Sequence, residues 1–184
     1  MIQINASTVA LSYLVQMETL AVHAPGGSRD EGWRWARLSR KELNHAFPLL
    51  QATGAAQSPS GWRNRALRWV TADEEERGII GLRGGWSVLF SMFFYEVEGD
   101  AVSRGCLSVP ELRMVDMGSP RHIAKVTLQA IDEVAHVCHC DRVRLHVAGD
   151  PGVSTELTSA VEPGDCGYAV AANGSFWLRC LHFA

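Results

Sequence analysis

Apolar and polar positions along the chain fall into short blocks whose period changes several times. Met1–Asn5 suits a short opening strand. Ser7 or Thr8 can then cap a helix that carries Leu11, Leu14, Val15 and Leu20 on one face. Ala24–Gly32, with Pro and paired Gly, reads as a loop. Ser39 is the cap expected for a second helix through Leu43, Phe47 and Leu50, and Glu42 three residues later completes a capping box. Thr53–Gly61 reads as a flexible connection and Leu67–Val70 as a strand. Gly78–Leu82 and Trp86–Val97 are rich in β-formers, so they predict one long strand or two joined at Gly84-Gly85. Cys106–Met117 predicts another strand, with Pro110 at a kink or an edge.

The second half is more regular. Ser119-Pro120 predicts a helix start, Ser as cap and Pro at the first helical position. Ile123, Val126, Ala130, Ile131, Val134 and Val137 follow at helical spacing. Arg142–Val147 alternates strictly and reads as a strand. Val153–Val161 predicts a short helix. Gly167–Ala172 and Ser175–His182 predict two strands around the tight turn Asn173-Gly174. The predicted order is β-α-α-β-β-β-α-β-α-β-β, without repeats or a dividing linker. It implies a single α/β domain over 1–184, not the regular alternation of a doubly wound sheet.

Bulk properties narrow the function classes. The chain has 184 residues, enough for one sizeable core. Its net charge of −3 argues against nucleic acid as the main partner, because phosphate binding calls for a dense basic surface. Arg63, Arg65 and Arg68 form a local basic group flanked by Trp62 and Trp69; a solvated face and core packing are the simpler readings. The longest apolar stretch, Trp86–Tyr95, is shorter than the roughly 20 residues of a membrane helix. The N-terminus lacks the basic start of a secretory signal. The chain has 5 cysteines, which read most simply as free thiols in a reducing cytoplasm. His136, Cys138, His139 and Cys140 have residue types that bind zinc, but no second ligand pair accompanies them; buried thiols and a capping His are expected, and no metal.

The element order, together with Leu112–Met117, the loop at Ser119–Val126, the helix after it and the strand Arg142–Val147, resembles the GCN5-related N-acetyltransferases. Gly167-Tyr168 stands where that family often has Gly-Phe. The resemblance covers nearly the whole chain and implies a mixed central sheet flanked by helices. It also implies transfer of an acetyl or other acyl group from acyl-coenzyme A to an amine, on a small molecule or a peptide. In the family, a Gln/Arg-x-x-Gly-x-Gly/Ala loop holds the pyrophosphate at a helix N-terminus, where backbone amides and the helix dipole favour an anion.

Carried over residue by residue, the resemblance implies that Arg121, His122, Ile123, Ala124 and Lys125 hold the pyrophosphate. Met114 and Val115 would orient the acyl carbonyl through their backbone. Glu111 would be the general base, ahead of Glu96 and Glu98. Trp33, Trp35 and Arg37 would contact the acceptor. The chain departs from the pattern at Ala124, at Val126 and at Pro120, which lacks an amide; the Tyr that often serves the family as general acid is missing near Glu162–Gly164. Two readings follow: an N-acyltransferase, or a non-catalytic binding module that keeps the fold and has lost coenzyme A. A homodimer is left open.

Overall fold

The computed structural model describes residues 32–55, 58–84, 88–99, 105–115, 120–146, 169–170 and 176–180. The expected opening strand, the helix after Ser7, the helix Val153–Val161, Gly167-Tyr168 and the Asn173-Gly174 turn lie outside the described residues. The elements are β1 (Arg34–Arg37), α1 (Leu43–Ala52), α2 (Pro59–Val70), β2 (Arg77–Arg83), β3 (Leu89–Glu98), β4 (Cys106–Met114), α3 (Pro120–Val137), β5 (Arg142–His146), β6 (Ala169–Val170) and β7 (Phe176–Cys180). The strands form one mixed sheet in the order β1-β2-β3-β4-β5-β7-β6. Only β4 and β5 run parallel; every other pairing is antiparallel.

Helices cover both faces. On one, α3 packs Ile123, Ala124, Leu128, Ile131 and Val134 against Phe93, Tyr95, Leu107, Val109, Leu112, Met114, Val143 and Leu145. On the other, α1 and α2 pack Leu43, Leu49, Leu50, Trp62 and Ala66 against Ile79, Met92 and Phe94. Period-2 alternation thus puts successive β3 residues into different cores. Val137, at helical spacing with the buried positions of α3, is instead 67 % exposed, because the helix ends there beyond the sheet.

Three local predictions need correction. Leu67–Val70 is the last turn of α2, not a strand. Ser58 accepts from the Gly61 amide and Pro59 follows at the first helical position, so the cap-and-proline signal of Ser119-Pro120 also occurs here. Trp33–Arg37, assigned to no element, supplies edge strand β1. The apolar run from Gly78 to Val97 is two antiparallel strands, β2 and β3. The capping box at Ser39 is half realised: the Ser39 amide donates to Glu42 Oε2 at 2.8 Å, and regular helix begins at Leu43. Burial pushes the Glu42 carboxyl up, but its Ser39 bonds and the Arg83 guanidinium outweigh this and hold it below its usual value.

Candidate functional site

Among the described residues, the two parallel strands pair over a short stretch. β4 pairs with β5 over four rungs, from Cys106 opposite Arg142 to Val109 opposite Leu145. Among the described residues, the β4–β5 ladder ends at Val109, and β5 continues one residue further, to His146 against Phe176 of β7. Two features end the pairing at this point. Pro110 has no amide to donate to a ladder. β4 also carries one extra residue there: Phe94 stands opposite Glu111 and Glu96 opposite Ser108, so three steps on β4 match two on β3. Such a bulge bends and twists its strand.

Beyond the bulge, hydrogen-bonding direction alternates. The Val115 amide donates to the Phe90 carbonyl at 2.9 Å, so Val115 faces β3. Leu112 and Met114, in the intervening antiparallel rungs opposite Phe93 and Ser91, direct their backbone groups the other way, into the open side. Of the two residues implied as acyl-orienting, Met114 therefore turns its backbone away from β3 and Val115 towards it.

The β4-to-α3 connection brings the start of α3 to the carboxyl ends of β4 and β5, the usual ligand side of parallel strands. A helix beginning at Pro120 leaves the Arg121 and His122 amides outside its ladder. Amides from Ala124 onward bond back four residues, and the Ile123 and Ala124 side chains are buried in the core. The side chains of these two residues thus belong to the core. Lys125 is exposed. Val126, one of the departures from the family loop, lies in the second helical turn and packs against the α3-side core, so it puts no branched side chain into the cradle. His122 stacks at 5.7 Å against Trp33, which meets Phe90 edge-on at 5.1 Å.

Glu111 faces the opposite side of the sheet, towards α2. Arg65 grips it with both terminal nitrogens, Nη1 to Oε2 at 2.9 Å and Nη2 to Oε1 at 3.2 Å. Arg113, two residues along β4, adds Nε to Oε1 at 3.1 Å. Glu96 and Glu98 lie at the far end of β3, where Glu98 pairs with Arg144, away from the opening. Arg65 is the site residue that composition and resemblance left unassigned; its place within the group Arg63, Arg65 and Arg68 was the available signal.

The implied acceptor residues are placed elsewhere. Trp33, Trp35 and Arg37 lie on and beside β1, at the edge of the sheet, three strands from the opening. Trp35 Nε1 donates to Glu133 Oε2 at 3.1 Å, tying β1 to α3. Arg37 donates to the carbonyls of Ala72 at 2.7 Å and Arg77 at 2.9 Å and pairs with Glu74. Both side chains hold the scaffold together. Trp33 alone comes near the start of α3, through His122. At the other end of α3, Cys140 is fully buried and its thiol is pushed up to about 12 by burial, then by the nearby Cys138. Among the described residues no three His, Cys, Asp or Glu side chains converge as metal ligands.

No protein-family profile matches the sequence, and no curated protein does. Solved structures do match in shape. The spermidine/spermine N-acetyltransferase SpeG from Vibrio cholerae superposes with a TM-score of 0.59 at 11% identity, over 82% of this chain and 95% of that one. The fold is that of the GCN5-related N-acetyltransferases. The GNAT domain of S. lividans PAT follows, with a TM-score of 0.57 at 14% identity over 81% of this chain and 90% of that one. The aminoglycoside N-acetyltransferase AAC(6')-Iy in complex with CoA also gives 0.57, at 13% identity over 77% and 93%. At such identities the likeness establishes the acetyltransferase fold and no more. No helix among the described residues is long and apolar enough to cross a membrane.

Proposed function

We propose that the protein is an acyl-CoA-dependent N-acyltransferase acting on an amine of a small molecule or a peptide. The observation that carries this reading is that, among the described residues, the β4–β5 ladder ends at Val109 and Leu112 and Met114 turn their backbone groups away from β3, beside a helix start. Amide-bearing pantetheine suits a strand edge turned away from its neighbour, and a diphosphate suits a helix start, with the exposed Lys125 nearby. The residues present therefore fit the substrate.

In this reading the Met114 amide donates to the thioester carbonyl oxygen as charge develops on it. The neutral acceptor amine attacks the carbonyl carbon. The C–N bond forms, the C–S bond breaks, and the electron pair leaves with the coenzyme A thiolate. The amine's proton passes to Glu111, directly or through one water; it is returned to the thiolate or to solvent. The acceptor enters from the α2 side, where Glu111 lies.

Pro120, which removes one amide from the helix start, favours the competing reading of a binding module without the cofactor. Calorimetric titration with acetyl-CoA, followed by thioester consumption over a panel of amines, separates the two. Saturable binding plus amine-dependent turnover supports the transferase; no heat at millimolar acetyl-CoA leaves only the fold.

A further inference from the structure

We infer that Arg65 is a positioning residue that fixes the Glu111 carboxylate for proton uptake; the inference rests on the transferase reading above. Three observations on separate elements meet at this pair. First, the contact is a fork: both terminal nitrogens of Arg65 reach the two oxygens of Glu111, at 2.9 Å and 3.2 Å, which sets the plane of the carboxylate and not merely its distance. Second, Arg65 is itself held. Its guanidinium carbon lies 5.1 Å from the centre of the Phe94 ring and 5.8 Å from that of Trp62. Phe94 is the residue opposite Glu111 in the neighbouring strand. Trp62 is fixed in turn by its indole donating to the Leu43 carbonyl at 2.7 Å. A continuous chain of contacts therefore runs from α1 through α2 to the strand that borders the opening. Third, Arg113 occupies a further lone-pair site on Oε1.

A carboxylate has about four such sites. Those contacts engage Oε1 twice and Oε2 once, so Oε2 keeps the remaining site. Arg65 thereby fixes the plane of the carboxylate, and Arg113, by engaging Oε1 again, leaves Oε2 as the oxygen that receives the proton. Lysine at position 65 keeps a positive charge but is a point donor that cannot set the plane.

The experiment is a double-mutant cycle on kcat with acetyl-CoA and the best amine of the panel, alongside calorimetric acetyl-CoA affinity. A general base contributes about 10²- to 10⁴-fold, so Glu111→Gln is expected to lower kcat by that order while acetyl-CoA still binds. Arg65→Lys is expected to lower kcat at least tenfold on the same scale, with KM for both substrates within about twofold. The decisive arm is the double variant: acting through Glu111, Arg65→Lys should add almost nothing to Glu111→Gln. Independent, multiplying losses, or an Arg65→Lys variant with wild-type kcat, overturn the inference while the transferase reading stands. Wild-type kcat in Glu111→Gln overturns the role of both residues. A wild-type protein that neither binds nor consumes acetyl-CoA overturns the transferase reading, and this inference with it. Arg65→Gln with unchanged thermal midpoint and the same kinetic loss confirms that folding is not what was lost.

Discussion

Val109 and Leu145 face each other across the last rung that joins β4 to β5. One residue further on, Pro110 has no amide to continue the ladder, and among the described residues the pairing of the two parallel strands ends there. Everything proposed about chemistry depends on what that gap accepts. If it accepts acyl-CoA, ligand at about 100 times its Kd adds about 2.7 kcal/mol to stability. For a chain of this length that is a rise of roughly 5–10 °C in melting temperature. Differential scanning with acetyl-CoA and with free adenosine diphosphate checks it; the longer ligand is expected to give the larger shift.

Arg37 and Trp35 give a prediction of the opposite kind. Their side chains bind carbonyls and Glu133 across the edge of the sheet, so Arg37→Ala and Trp35→Phe should lower the unfolding free energy, read from urea titration, by about 1–3 kcal/mol. Acceptor KM should stay within about twofold, as befits truncations with no uniform binding to remove. A tenfold rise in acceptor KM without loss of stability would return these residues to the substrate site.

A larger residue at Gly81 would force its buried neighbours to move. A Cβ there would lie 2.6 Å from Leu89 Cδ1 and 2.9 Å from Leu38 Cδ2, both in the α1–α2 core. Gly81→Ala is expected to destabilise the fold by about 1–3 kcal/mol, read from urea unfolding. The double variant Gly81→Ala, Leu89→Ala should recover part of that loss.

The buried Cys140 thiol sets a pH limit. In the folded protein it keeps its proton up to about 12, whereas a free thiol titrates at 9.0. Between these values the folded state binds more protons than the unfolded state, so stability is fully present below pH 9 and declines towards pH 12. Tyr95, pushed up to about 12 from 10.0 by burial, acts in the same direction at the upper end of that window. Urea midpoints measured from pH 8 to pH 10.5 should fall less steeply in Cys140→Ala than in the wild type. Native Cys140 should also resist a thiol reagent at pH 8, because it carries almost no thiolate and no exposed surface.

Much of the architecture was legible where a strong period met clear punctuation. α3 has both: an apolar stripe at helical spacing and Ser-Pro at its start. The β5 alternation and the halves of the final hairpin read just as directly. α2 was missed because its C-terminal residues Leu67–Val70 include β-formers and its apolar face is thin, only Trp62 and Ala66 being buried; tertiary contacts with α1 and β2 decide it. β1 was missed because a short edge strand with two arginines carries little pattern of its own. At the candidate site, resemblance pointed to a strand and a helix that the fold contains, but the direction each backbone group takes is set by hydrogen-bond pairing, which sequence spacing does not reveal, as at Val115. Glu111 was found as a carboxylate on the bordering strand. Its partner on α2 was not, because the contact joins residues far apart along the chain.

The extra residue of β4 also fixes how easily this sheet could change character. Because the bulge places one spare position against β3, removing Pro110 would restore a regular two-residue alternation and leave Leu112 and Met114 on the α3 side. No core contact would be lost, yet Glu111 would follow Val109 directly and β4 could run on beside β5.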